Sequence, residues 1–244
     1  MRILVTNDDG VHAEGIKALA EALREEHEVC VLAPDQERSG VSHAMTLRNP
    51  GKVRKLGELW YSCSGTPADC VILACLGAIP FKPEAVMAGI NRGPNLGTDI
   101  LYSGTCGAAR QAALAGLPGI AFSCASFREP LRYGAAAAFA RRYAGRLAEL
   151  CGPESFVNVN APSSDDEELE GEWSLPSLRR YLDRLKTFDA PDGYSYCFLS
   201  DGSIETRDGA GTDHGAVAAG RVAVSSILVH PQSPATVAPG AAFR

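Results

Sequence analysis

The chain opens on a short apolar run, Ile3-Leu4-Val5, that stops at the polar turn Thr6-Asn7-Asp8-Asp9-Gly10. Ile16, Leu19, Ala20 and Leu23 follow at helical spacing, with Glu21, Arg24 and Glu25 on the other side, which predicts one amphipathic helix. Strand, polar loop and helix is therefore the first unit. Further apolar runs at Val29 to Ala33, Ala85 to Ile90, Gly119 to Ser123 and Phe156 to Val159 read as strands, and none alternates strictly. Strands of this kind separated by helical patterns indicate a parallel sheet covered on both faces.

Thr66-Pro67-Ala68-Asp69 reads as a helix start, with Thr66 as N-cap and Pro67 at the first position, and the helix should run through Leu76. Another helix should open near Thr105 and carry Ala108 to Ala115, and a third spans about Tyr133 to Leu150. Strand-like residues on either side of Gly57-Glu58, between Met45 and Cys63, suggest a hairpin beside the core. After Pro162 the character changes to an acidic polar stretch and then to short apolar pieces punctuated by Pro, Gly and Asp. The expected fold class is α/β: a mostly parallel core over residues 1–162 and a β-rich extension over 163–244, within one domain.

Length and charge narrow the function. At 244 residues the chain sits near the upper end of a usual single domain. Its 23 basic residues are outnumbered by 29 acidic ones, with no block made up of Lys and Arg. That speaks against gripping a nucleic-acid polymer or a membrane surface. An acidic protein that handles an anionic substrate must neutralise it locally, with a metal ion, helix N-termini or a few placed cations. The eight cysteines show no C-x-x-C pair or other metal spacing and read as buried free thiols. No signal-peptide core and no apolar stretch near ~18 residues is present, so a cytoplasmic location is expected.

In an open parallel sheet, ligands bind beyond the carboxyl ends of the strands. Four polar segments lie there. Asp8 and Asp9 are adjacent carboxylates, hard oxygen ligands suited to Mg²⁺ or Mn²⁺; the alternative is an Asx-type turn that caps the next helix. Asp35 to Gly40 brings Ser39, a carboxylate and Arg38 to the same rim, or is a plain solvated loop. Gly89 to Gly97 bends tightly around Asn91 and Asn95, whose carboxamides can serve a metal or their own backbone. Tyr102-Ser103-Gly104-Thr105 enters a helix with small residues and hydroxyls, which makes a cradle for a phosphate-sized anion or an ordinary Thr105 N-cap. Triphosphate and dinucleotide glycine fingerprints are absent.

Taken together, M-R-I-L-V-T-N-D-D-G-V-H-A-E-G-I, A-P-D-x-x-R-S-G-V-S, G-T-P-A-D-C-V and G-I-N-R-G-P-N-L-G-T-D-I-L-Y-S-G-T resemble, in that order, the SurE family of acid-tolerant nucleotidases. The match is dense from Met1 to about Ser123 and resumes at Val157 to Asn160 and at Thr212-Asp213 to Val224. The resemblance implies one divalent metal per subunit held by Asp8, Asp9, Ser39 and Asn91, and substrate phosphate held near Asn95, Ser103, Gly104 and Thr105. It also implies a Rossmann-like three-layer core whose protruding β elements and C-terminal exchange segment pair between subunits, as a homodimer or homotetramer. Two departures stand out: Gln111 where the family pattern has Glu, and Ser226-Ile227-Leu228 in place of a late T-P-L motif.

None of the five histidines has metal-ligand spacing. His12 follows the acidic turn, His43 could approach a substrate phosphate, and His214 starts a small helix. No Ser-His-Asp order or activated cysteine is evident, which disfavours a serine or thiol hydrolase. The expected function is a metal-dependent phosphomonoester hydrolase acting on nucleoside 5′- and possibly 3′-monophosphates. Two routes fit Asp8 and Asp9, a covalent aspartyl phosphate and attack by a cation-activated water, and crowding of both carboxylates around one cation favours water. A noncatalytic nucleotide-binding domain and a sugar-nucleotide transferase are the alternatives.

Overall fold

The computed structural model describes residues 1–207 and 209–231; the end of the expected extension, 232–244, lies outside the described residues. Its strands are β1 (Arg2–Thr6), β2 (Glu28–Pro34), β3 (Val53–Gly57), β4 (Trp60–Cys63), β5 (Ala85–Arg92), β6 (Gly119–Cys124), β7 (Ser155–Ala161), β8 (Gly171–Trp173), β9 (Leu178–Asp189), β10 (Ser195–Arg207) and β11 (Val222–Leu228). The helices are α1 (Glu14–Arg24), α2 (Pro67–Cys75), α3 (Gly104–Leu114), α4 (Gly134–Leu150) and α5 (Asp213–Ala218), with a 3-10 turn at Gly97–Leu101.

Nine strands form one sheet in the order β3-β4-β2-β1-β5-β6-β7-β11-β8. From β4 to β7 every neighbour is parallel. The near-continuous apolar runs are explained by helices on both faces: α1 and α4 pack on one side around Ile16, Leu19, Met87, Phe122 and Phe139, and α2 and α3 cover Leu4, Leu32, Val86 and Ala108 on the other. The expected α/β three-layer core is what forms. Its chain order sets the place of chemistry. From β1 the chain steps to β2 and β4 on one side, then returns to β5 on the other. The carboxyl ends of β1 and β5 therefore flank the point where strand order reverses, and the loops leaving them diverge into a crevice.

The hairpin expected between Met45 and Cys63 forms as β3 and β4, but it prolongs the main sheet because β4 pairs parallel with β2. The projecting hairpin is a different one. β9 and β10 form a separate two-stranded antiparallel arm. Beyond it β11 returns to the sheet and pairs antiparallel with β7 and parallel with β8.

Candidate active site

Asp8 and Asp9 follow β1, and their loop is shaped by Asn7. The Asn7 amide donates to the Gly10 carbonyl at 3.0 Å and its oxygen accepts from the Gly10 N–H at 3.2 Å. The Asx-type turn thus belongs to Asn7, which leaves both aspartate side chains for other partners. Asp8 is 4% exposed and points at the start of α3. Its Oδ2 accepts from the Gly104 N–H at 3.0 Å and its Oδ1 from the Thr105 hydroxyl at 2.5 Å. The approach requires glycine: a Cβ on Gly104 would lie 2.9 Å from Asp8. Thr105 is not the N-cap of α3; Ser103 is, its Oγ accepting from the Cys106 N–H. The positive end of α3 accordingly faces a carboxylate of the protein itself.

Asp9 Oδ2 accepts from the Arg92 N–H at 3.0 Å, which ties the β1 loop to the end of β5. Burial lifts the Asp8 carboxyl above its usual value against the bonds from Thr105 and Gly104. Burial and then the neighbouring Asp8 charge push Asp9 up to about 6. Among the described residues no cationic side chain bonds either carboxylate. The Arg38 guanidinium bonds the Ser64 carbonyl at 2.9 Å, and that of Arg92 bonds Glu129. Two adjacent carboxylates, Asp8 buried and Asp9 half-buried, with no cationic side chain bonded to either, have the donor chemistry of a hard divalent cation site.

The other expected ligands lie on the same wall. Asp8, Ser39, Asn91, Asn95 and Ser103 line a single cavity of about 400 Å³. Asn91 spends its amide nitrogen on the Gly93 carbonyl at 2.9 Å, which leaves the oxygen as the end suited to a cation. Ser39 is exposed and donates to Glu37 at 2.7 Å. Asn95 is held from four directions. Its N–H donates to Asn160 and its side-chain nitrogen to Ser123, while its carbonyl accepts from the amides of both Asn158 and Asn160. Those partners were missed as site residues, although Val157-Asn158-Val159-Asn160 places a polar residue at every second position of a buried strand. Asp99, in the 3-10 turn, was missed as well; it bonds Arg179 and the Tyr181 hydroxyl of the arm.

The histidines lie elsewhere in the network. His43 Nε2 sits 2.9 Å from the Gln111 oxygen and so docks the Ser39 loop on α3. His12 is exposed and lies outside the cavity lining. His214 follows Asp213, whose fully buried carboxylate accepts from the N–H groups of Gly97, Ser177 and His214 at 2.7, 2.9 and 2.8 Å. Asp213 is the node that joins the 3-10 turn to the root of the arm.

An α/β sheet with paired carboxylates at its reversal point and an amide-lined cavity beside them has the layout of an α/β enzyme of the hydrolase or transferase kind. Comparison with known proteins makes this specific. The family model described as "Survival protein SurE" matches residues 3–182, and the chain belongs to the SurE family. It is 41% identical over 229 residues to "5'-nucleotidase SurE" of Geobacter metallireducens, covering 93% of this chain and 91% of that protein. It is 44% identical over 234 residues to the protein of the same name from Kosmotoga olearia, covering 93% and 92%. The crystal structure of SurE protein from Aquifex aeolicus superposes with a TM-score of 0.81 at 34% identity, over 95% of each chain.

Proposed function

We propose that the protein is a 5′-nucleotidase that hydrolyses nucleoside monophosphates to nucleoside and orthophosphate, with a divalent cation as cofactor. The observation that carries this reading is the carboxylate pair at the end of β1: Asp8, buried and lining a cavity with Asn95 and Ser103, and Asp9, half-buried, beside it. The names of the relatives support the substrate class. Asp8, Asp9, Ser39 and Asn91 would hold the cation, one per subunit. When bound, it supplies the positive charge that neutralises phosphoryl oxygens and acidifies water.

The chain's own groups account for the rest. The helix start and the Thr105 hydroxyl fix the Asp8 carboxylate in one orientation, so it needs no reordering when substrate arrives. Asn95 has one amide hydrogen beyond its bond to Ser123, and Ser103 still has its hydroxyl hydrogen while its oxygen caps α3. These two donors would bind phosphoryl oxygens. Asp9 bonds Arg92 through Oδ2, which leaves Oδ1 to take the proton of the attacking water. The water oxygen forms the new bond to phosphorus as the bond to the ribose oxygen breaks, and the nucleoside leaves with a proton from solvent. Phosphate release from a nucleotide panel, with and without EDTA, tests the reading. Release unaffected by the chelator would remove the cation, and absence of release would remove the hydrolase.

We further place the protein in the cytoplasm, a location suited to its eight free cysteines. No helix among the described residues is long and apolar enough to cross a membrane. A homodimer or homotetramer is supported by the arm, where Leu185, Phe188, Phe198 and Leu199 are exposed on a ribbon of only two strands. Such a ribbon is marginal in water unless another surface covers it.

A further inference from the structure

The cavity that holds Asp8 and Asn95 continues outward to Tyr102, Phe127, Tyr181 and Asp183, none of which takes part in the hydrolytic step. Three of these are aromatic rings with wide exposure: Tyr102 at 60%, Phe127 at 71% and Tyr181 at 38%. Core packing does not explain them. Phe127 lies across Gly93, where a Cβ would approach its Cε1 to 3.2 Å, so the ring overhangs the loop that carries Asn91 and Asn95. Tyr181 is fixed in place by its hydroxyl bond to Asp99 and by the Arg179 guanidinium 5.8 Å from its ring centroid. A preset flat face beside a phosphate end is a surface on which a planar ring stacks.

Asp183 adds direction. Residues 179, 181 and 183 share one face of β9. Arg179 is anchored at the 3-10 turn, donating its N–H to Thr98 at 3.0 Å and its side chain to Asp99. Asp183 then stands about 7 Å further out than Tyr181 along the strand. It makes no hydrogen bond or ion pair among the described residues, and as a carboxylate it only accepts hydrogen bonds. The pairing edges of the bases differ in what they offer it. Guanine presents two adjacent donors, N1–H and the 2-amino group; hypoxanthine presents N1–H alone; adenine presents its 6-amino donor beside the N1 lone pair, which repels the second carboxylate oxygen.

Resting on the nucleotidase reading above, we infer that Tyr181 and Phe127 hold the base of the substrate and that Asp183 reads its edge, so that guanosine monophosphate is preferred. The order of kcat/KM is GMP above IMP above AMP. The preference is on the order of tenfold between the first and the last, because guanine gives the exposed Asp183 carboxylate two charge-assisted hydrogen bonds where adenine gives one at most. The test measures kcat/KM for GMP, IMP, AMP and 2′-deoxy-GMP with Mg²⁺ or Mn²⁺, for the wild type, Asp183→Asn and Phe127→Ala. Asp183→Asn should bring the GMP to AMP ratio close to one, and Phe127→Ala should raise KM for GMP about tenfold with a smaller change in kcat. Wild-type turnover with equal efficiency on all bases, or an Asp183→Asn ratio that stays where it was, would overturn this inference alone. So would a variant that loses only the distinction between GMP and 2′-deoxy-GMP, which would put Asp183 on the ribose. Absence of phosphate release from every nucleotide by the wild type would overturn the nucleotidase reading and this inference with it.

Discussion

In β1, Ile3, Leu4 and Val5 are wholly buried between two helical layers, whereas in the β9–β10 arm Leu185, Phe188, Phe198 and Leu199 stand in solvent. The first region satisfies its apolar surface within the chain and can hold charged groups rigidly at its edge. The second leaves that surface uncovered, so its stability and placement depend on contacts at its root and on another molecule. The cavity lies where the two meet: the core supplies Asp8, Asn91 and Asn95, and the root of the arm supplies Tyr181. On the function proposed above, precision in the hydrolytic step belongs to the core, and base choice is shared between the arm, through Tyr181 and Asp183, and Phe127 in the loop after β6.

The largest expected effect breaks the core side of this comparison. Asp8→Asn should lower phosphate release by roughly 10³-fold, since it removes a carboxylate from the cation and from the helix start at once. The fold should persist, because the substitution also removes a buried charge; near wild-type turnover at saturating Mg²⁺ or Mn²⁺ would refute the site. Next comes the joint. Asp213→Ala leaves three buried N–H groups without their acceptor and should cost about 3 kcal/mol, seen as a lower midpoint in urea unfolding. An unchanged midpoint would mean that the arm root is held by other contacts.

The metal-free site should respond to pH in a defined direction. The folded Asp9 carboxyl, near 6, lies above its ordinary value of 3.8, so the native state binds the proton more tightly than the unfolded chain. Its contribution is present in full below the unfolded value and is lost as pH rises through about 6. A tenfold change in proton affinity is worth about 1.4 kcal/mol, so the rise from 3.8 to about 6 amounts to about 3 kcal/mol over the whole window. The EDTA-treated protein should melt higher at pH 5 than at pH 7, and Mn²⁺ should narrow that gap. A thermal scan that shows the reverse slope would contradict the assignment.

Two smaller effects concern surfaces. Replacing Phe188 and Phe198, whose rings meet edge to face at 5.9 Å, by Ser should raise the subunit dissociation constant at least about tenfold in light-scattering dilution series, if a second copy covers the arm. A monomeric wild type at micromolar concentration would instead rule that copy out. Ser39→Ala should weaken cation affinity only a few-fold, since a neutral, exposed hydroxyl contributes less than a carboxylate. Calorimetric titration distinguishes this from no change.

Local patterns were enough to read the alternation of strands and helices, the Thr66 N-cap with Pro67 behind it and the polar segments after β1, β2 and β5, because each rests on residues within a few positions of one another; that Asp69 closes a capping box with Thr66 is a finding of the structure. The order of those segments also carried the family. What local pattern could not carry was direction across the chain. Thr105 was legible as a helix start, yet its hydroxyl serves Asp8, 97 positions away, while Ser103 caps the helix. Asn158 and Asn160 read as strand polarity, and only the neighbourhood of β6 and β7 turns them toward Asn95. The hairpin at Met45 to Cys63 was legible as a hairpin, but its membership of the main sheet depended on β4 finding β2. Asp99 and Asp213 fall within the motifs that carry the resemblance and Tyr181 within the extension, with no role legible for any of them, and they become a joint because β11 returns to the sheet and brings α5 and the arm root against the 3-10 turn. By itself the sequence determined which elements form and which loops are polar, since propensity and periodicity act over short range. The tertiary structure decided which of those polar groups meet, because burial and hydrogen bonding between distant segments are settled only when the sheet assembles.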